Sequence, residues 1–202
     1  MLLPTEYRYD DASYHTPEYL ARPVLERLPV GGRVLEIGCG NGNFAKRMAS
    51  LGHDVVGVEA STSAVDVASR NASGVVFRGA SVYEPPQFEG LGKFDAIVAI
   101  EVIEHLQYPR ALFARAKELL NPDGVLLITT PYHGYLKNLV LALTNRWDSH
   151  HNVLWDEGHV RLFSPAQMKR MADEEGFSQV MWRGLGRAPG LWKSFLFEAR
   201  PR

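Results

Sequence analysis

The chain has one cysteine, Cys39, among 202 residues, which excludes an internal disulfide and a cysteine-built zinc site and fits a reducing compartment. It also has no excess of either charge. Twenty-two lysines and arginines stand against 23 aspartates and glutamates, so no global field favours nucleic acid or an anionic membrane. No apolar run approaches the roughly 18 residues of a spanning helix; the longest candidate is LVLAL, Leu139 to Leu143. The opening MLLPTEYRYDDASYHTPEY carries aromatics and acids where a secretory leader would place a basic stretch and then an apolar one, so no leader is expected. Internal repeats and low-complexity tracts are missing as well. What remains is the composition of an ordinary soluble protein, 46% hydrophobic and 22% charged, expected to fold as one domain over 1–202 and to reside in the cytoplasm.

What the chain does contain is alternation. The short β-rich runs RVLEI, DVVGVE, VVFRG, FDAIVAI and VLLITTP are separated by the helical patterns NFAKRMASL, SAVDVASRNA and RALFARAKELL. Strands joined by helical crossovers give a parallel, doubly wound α/β sheet. NPDG, Asn121 to Gly124, reads as a turn between helix and strand. Ser164, Pro165 and Gln167 form a capping box that starts a helix running to about Gly176. The tail FSQVMWRGLGRAPGLWKSFLFEARP reads as an antiparallel hairpin closing the sheet edge, with a structural role. Residues 131–163 are too long for an ordinary β-to-α connection, which takes about 2 to 6 residues. They are expected to form an insertion with one helix around Tyr135 to Thr144, leaving the carboxyl end of the fifth strand, where open α/β sheets bind ligands.

After the first strand comes VLEIGCGNGNFA, with Gly38, Gly40 and Gly42 but Asn43 where a dinucleotide fingerprint requires glycine. Glycine lets backbone approach a ligand that a Cβ would repel. Glu36 precedes the loop and Glu59 ends the next strand, placed to accept both hydroxyls of a ribose. The ligand indicated is a nucleoside. Cys39 reads as a small buried residue of the loop, and Asn41 as a residue tolerant of a left-handed turn.

The pattern E-x-G-x-G-x-G, the acid ending the second strand and EVIEHL after the fourth together resemble the class I S-adenosylmethionine-dependent methyltransferases. The resemblance covers roughly Tyr14 to Gly176 and implies a Rossmann-like fold, mostly parallel with the antiparallel hairpin at its edge. It implies that Glu36, Gly38, Cys39, Gly40 and Gly42 contact the methionine portion of the cofactor. Glu59, with Ala60 beside it, would hold the ribose; Ser81 and Val82 would bracket adenine, with Ile100 at the neighbouring strand end. Many relatives have Gly-Asp where this chain has Gly79 and Ala80, so the adenine amine is left to Ser81 or to backbone groups. The segment 1–30 would fold over the cofactor and bring Tyr14 and His15 to its carboxylate or to the substrate; a plain packing helix is the alternative.

EVIEHL spaces Glu101, Glu104 and His105 so that an immediate helix would put all three on one face. Two carboxylates and an imidazole suit Mg2+, Mn2+ or Zn2+, and His105 alone suits a general base. The motif resembles the ubiquinone-pathway O-methyltransferases and the small-RNA 2′-O-methyltransferases, in which a later histidine joins a divalent metal; here that histidine is His159. The competing reading is that EVIEH only shapes the loop beside the transferred methyl. Four of seven histidines, His133, His150, His151 and His159, fall in the insertion with Tyr132, Tyr135, Lys137, Arg146, Trp147, Trp155 and Arg161. Aromatics beside cations suit an anionic or aromatic small molecule. Tyr132, Lys137 and Arg161 are the candidate substrate contacts, His133 a further catalytic candidate, and His150 and His151 read as solvated lid residues.

Methyl transfer from a sulfonium is an in-line displacement, so alignment supplies much of the rate and a hydroxyl acceptor gains from a base. The expected function is O-methylation of a small molecule with Glu101, His105, His133 or His159 at the reacting centre. A metal-dependent RNA 2′-O-methyltransferase is disfavoured by the balanced charge. A binding-only member that holds the cofactor and regulates a partner is the third reading.

Overall fold

The structure is a computed structural model that describes residues 13–71, 74–151, 154 and 158–202. Seven strands form one sheet: β1 (Arg33–Ile37), β2 (Asp54–Glu59), β3 (Val76–Gly79), β4 (Phe94–Ile100), β5 (Leu120–Pro131), β6 (Phe177–Leu185) and β7 (Ser194–Pro201). Their order is β3-β2-β1-β4-β5-β7-β6, parallel through β5 and antiparallel for the last two. The chain reverses direction across the sheet after β3, and β1 and β4 become neighbours, which opens the crevice where α/β sheets seat ligands. The doubly wound class and the antiparallel C-terminal edge are as the sequence alternation implied.

Each central strand is apolar on both faces because helices cover both. On one side Val34, Val55, Ala96 and Val98 pack with Leu20 and Val24 of α1 (Glu18–Leu25) and Phe44 and Met48 of α2 (Asn43–Ser50). On the other, Leu35, Ile37, Val56 and Ile97 join Leu112 and Phe113 of α4 (Arg110–Leu119), and Phe195 and Phe197 join Met168 and Ala172 of α7 (Pro165–Glu174). Alternating residues of one strand therefore anchor opposite layers. The crossover α3 (Thr62–Asn71) completes the β2-to-β3 connection.

The capping box at Ser164 is present, Gln167 N–H donating to the serine oxygen while the glutamine side chain accepts from the Ser164 amide. NPDG is not a turn outside the sheet. Phe94 pairs with Leu120 and Ala96 with Val125, so residues 121–124 bulge from β5 within its span. The insertion holds α5 (Tyr135–Leu143) and the short α6 (Trp147–His150). Its ends meet: Tyr132 bridges Phe163, and the His133 amide donates to the Phe163 carbonyl. Among the described residues no helix is long and apolar enough to cross a membrane.

Candidate active site

The glycine loop runs between β1 and α2. Gly38 and Gly42 adopt φ of 74° and 76°, the left-handed region that favours glycine. A Cβ on Gly38 would stand 2.5 Å from Val102 Cγ2, and one on Gly42 would stand 2.7 Å from Phe77 Cζ and 2.9 Å from Ala68 Cβ. At these two positions the close approach that excludes a side chain is to the protein itself. The Gly38 and Cys39 amides donate to the Val58 carbonyl, fixing the loop to the end of β2. Cys39 is buried with its sulfur over Gly57, and burial together with Glu36 pushes its thiol far up, so its side chain is a packing group of the loop.

Glu59 is 5% exposed and is held by three amides: Ala60 and Ser61 donate to Oε1 at 2.7 and 3.1 Å, and Gly40 to Oε2 at 3.1 Å. The carboxylate thus joins the end of β2 to the glycine loop. Glu36, 3% exposed, is raised well above the ordinary carboxylate range by burial and then by Glu59, with a hydrogen bond from the Ala45 backbone opposing. The two acids and the loop converge. Asn41 has no left-handed backbone. Its amide donates to the Tyr14 carbonyl at 2.8 Å, and so does that of Asn43, the residue standing where a third glycine was absent. The N-terminal segment is pinned over the loop by its backbone. His15 is exposed, and residues 1–12 lie outside the described residues. At the end of β3, Ala80 and Val82 are buried, and Ser81 accepts from the Tyr83 amide while its own amide donates to Gln87, so its hydroxyl proton is the group it can still offer. Ala60 is exposed and Ile100 half-buried at neighbouring strand ends.

Beyond β4 the chain does not turn helical at once. Glu101 takes φ of 52°, and a 3-10 turn spans Ile103–His105. This kink separates the three acid and imidazole side chains that an α-helix would have aligned. Glu101 is reached by the Ser194 hydroxyl at 3.2 Å and is pushed up to about 7, mainly by burial. Glu104, 1% exposed, accepts from Thr130 Oγ1 at 2.9 Å, and its carbonyl accepts from the Val160 and Arg161 amides, so the returning insertion is stitched to this turn. That stitch brings His159 to the site, with ring centroids of His105 and His159 4.9 Å apart and His159 Nε2 3.9 Å from Glu104 Oε1. Donor atoms of Glu104, His105 and His159 all lie within 4.8 Å of one another; Glu101 falls outside this group. Burial, then His105, lowers His159 to about 4, and burial, then Lys137, lowers His133 to about 4.

A cavity of about 270 Å3 opens here. Glu101, His133, Lys137 and His159 line it, and so do His150 and His151, contrary to their reading as solvated lid residues. Tyr19 of α1 and Arg187, Lys193 and Ser194 of the β6–β7 loop complete it. The tail hairpin therefore contributes to the site as well as to the sheet edge. Nothing in the sequence marked these four, because a Gly/Pro-rich turn with two cations looks like any surface loop. Tyr132 instead packs among Trp182, Trp192 and Phe195, since the end of β5 faces the aromatic edge of the hairpin. Arg161 is exposed and donates to the Gln107 carbonyl at 2.6 Å, away from the cavity, because its neighbours are tied to Glu104. Trp155 lies outside the described residues.

A family model described as a methyltransferase domain matches residues 12–180. The chain belongs to this methyltransferase family. The methyltransferase is 29% identical over 174 residues to the ubiquinone biosynthesis O-methyltransferase of Azorhizobium caulinodans, covering 81% of this chain and 66% of that one. To the Burkholderia pseudomallei protein of the same description it is 27% identical over 194 residues, covering 93% and 77%. Among solved structures, the YcgJ protein from Bacillus subtilis matches with a TM-score of 0.71 at 18% identity over 92% of this chain and 99% of the other. Magnesium protoporphyrin IX methyltransferase from Synechocystis with bound SAH matches with a TM-score of 0.64 at 16% identity, over 90% and 82%. These two likenesses are of fold. The class I S-adenosylmethionine-dependent methyltransferase implied by the motifs is borne out.

Proposed function

We propose that this methyltransferase carries the methyl of S-adenosylmethionine to a hydroxyl oxygen of a small molecule seated in the cavity between β4, the insertion and the β6–β7 loop. The observation that carries the reading is the placement of His159 in that cavity, against His105 and the buried Glu104. The glycine loop, Glu36 and Glu59 hold the cofactor at the adjoining strand ends, with Gly40, Ala60 and Ser61 fixing Glu59 for the ribose hydroxyls. The acceptor oxygen attacks the methyl carbon, the carbon–sulfur bond breaks, its electron pair returns to sulfur, and the hydroxyl proton passes to His159. A histidine lowered to about 4 is neutral at pH 7 and has a lone pair to offer. Glu104 Oε1 stands 3.9 Å from the ring, and burial and then Glu101 push that carboxyl well above its ordinary range, so it positions His159 and supplies no fixed negative charge to it. The similarity to the ubiquinone biosynthesis O-methyltransferases of Azorhizobium and Burkholderia supports oxygen as the nucleophile.

The donor set also fits a divalent cation. Glu104 Oε1 is buried without a hydrogen-bond partner beside His105 and His159, and a carboxylate with two imidazoles suits Zn2+ or Mn2+ better than Mg2+. Glu104, His105 and His159 would hold it. Bound there, such an ion would supply a Lewis acid to an acceptor oxygen.

A methyl-release assay across hydroxylated metabolites tests the reading. His159→Ala and His105→Ala are each expected to lower turnover about 100-fold, the usual worth of a positioned acid or base, with cofactor affinity kept. If both variants turn over like the parent, the proton chemistry assigned here is wrong. Loss of turnover on chelation, restored by Zn2+ or Mn2+, would select the metal-assisted form.

A further inference from the structure

The cavity wall is unbalanced in charge. Lys137, Arg187 and Lys193 line it, and the carboxyl group on the same wall is Glu101. Among the described residues, none of these three cations forms an ion pair with a carboxylate. Lys137 is the unusual one. Helix α5 reads YLKNLVLAL, yet its buried residue is the lysine, 6% exposed, while Tyr135, Leu136 and Leu143 are 83%, 47% and 77% exposed. A helix that turns its lysine inward and its leucines outward gives up apolar burial and desolvates an ammonium, both unfavourable unless the charge meets a partner. Within the protein Lys137 Nζ donates to the Tyr132 carbonyl at 2.8 Å and reaches the Lys193 carbonyl at 3.5 Å; Glu101 acts on it only at longer range, so among the described residues the ammonium has no carboxylate in direct contact.

We propose, resting on the methyl-transfer reading, that the acceptor is a hydroxylated small molecule bearing an oxyanion, carboxylate or phosphate, which Lys137 and Arg187 hold while its hydroxyl faces His159. Arg187 reaches the cavity from an exposed loop and presents the planar fork that grips an oxyanion in two bonds; Lys137 supplies a buried point charge from α5. Lys193 lies over the Tyr19 ring at 5.1 Å and extends the positive rim toward α1. Burial first and Arg187 second lower Lys137 to about 8, with Glu101 opposing, and burial first and Lys137 second depress His133, His150 and His151. An anion entering the cavity offsets the repulsion among these groups, whereas a neutral ligand leaves it in place. Two oriented cations fix which end of the acceptor enters first, so the oxyanion sets regiochemistry as well as affinity.

The test measures binding of 3-hydroxybenzoate, 3-hydroxyphenyl phosphate and neutral 3-hydroxybenzamide to the full chain by calorimetry, with and without S-adenosylhomocysteine. At least one anion is expected to bind ten or more times tighter than the amide, and which one identifies the oxyanion. Arg187→Gln is expected to erase at least fivefold of that preference while changing S-adenosylhomocysteine affinity less than twofold. Lys137→Met is expected to act in the same direction. Because replacing the buried Lys137 also perturbs packing, the exposed Arg187 carries the decision. Equal or tighter binding of the amide overturns the proposal, as does an Arg187→Gln protein that keeps the full preference. A variant that weakens S-adenosylhomocysteine and spares the anion preference also overturns it, since the cations would then serve the cofactor carboxylate. If S-adenosylhomocysteine fails to bind the parent protein, the methyl-transfer reading falls, and the anion preference is still read from the cofactor-free titration.

Discussion

At position 38 a single methyl decides whether the cofactor loop can form. An added Cβ meets Val102 at 2.5 Å on a backbone with φ of 74°. Gly38→Ala is therefore expected to destabilise the protein by about 2 to 4 kcal/mol, from left-handed strain together with overpacking, measured by urea denaturation. A loss under about 0.5 kcal/mol, the range of an ordinary surface substitution, would contradict the geometry. Glu59→Gln replaces an acceptor held by three amides with a group that can turn a donor toward them. Its S-adenosylmethionine Kd is expected to rise at least about tenfold, worth about 1.4 kcal/mol, by calorimetry. The spacing of Gly38, Gly40, Gly42 and Glu59 made the loop and the acid beside it legible in the sequence. The reason for two of the glycines was not legible, because Val102, Ala68 and Phe77 come from distant parts of the chain. Cys39 belongs to the same lesson: its place in the loop was visible, and its direction, toward Gly57, depended on the neighbouring strand.

At the scale of elements, the strands and crossovers followed from local periodicity, whereas the connections did not. An immediate helix through EVIEHL would put Glu101, Glu104 and His105 on one face, and the left-handed Glu101 changes which side chains meet. A turn conformation set by packing against β5, where Thr129 engages the Glu101 amide, has no signature in residue types. Asn41 and Asn43 offer an element-scale prediction. Both donate to the Tyr14 carbonyl and hold the segment before α1 against the loop. The double variant Asn41→Ala, Asn43→Ala is expected to be cleaved several times faster near residues 13–17 in limited proteolysis, with α2 still folded by circular dichroism. Unchanged cleavage would mean that α1 alone holds the segment. The hairpin's part in the cavity was missed for a related reason. Arg187 and Lys193 sit 50 and 56 residues after Lys137 in sequence and are brought to it by the pairing of β5 with β7, a long-range register that composition does not encode.

For the whole molecule, His133 is expected to take stability away on the acid side, against the buried Glu36, Glu101 and Glu104, whose upward displacement acts in the opposite direction. His133 titrates near 4 in the folded chain, below its usual 6.5, so the unfolded chain takes up the proton first as pH falls. Its contribution is intact above about pH 6.5 and is lost progressively toward about pH 4. His150 and His151 are displaced in the same direction, by burial first and then by Lys137. His133→Gln is expected to flatten the fall in Tm between pH 6.5 and 4; a curve superimposable on the parent's would remove His133 from the acid response.

The bridge between Tyr132 and Phe163 has a consequence for how such a protein can change its chemistry. The insertion departs from the sheet and returns to it at one point, so the strands that carry the cofactor seat do not depend on the path taken between those two residues. Lengthening or replacing a loop whose ends are already neighbours costs little chain entropy, about 0.6 kcal/mol for each doubling of its length. The segment behaves as an exchangeable cartridge. A graft from a relative, joined at these two residues, should alter what is methylated while the glycine loop and Glu59 go on binding the same donor.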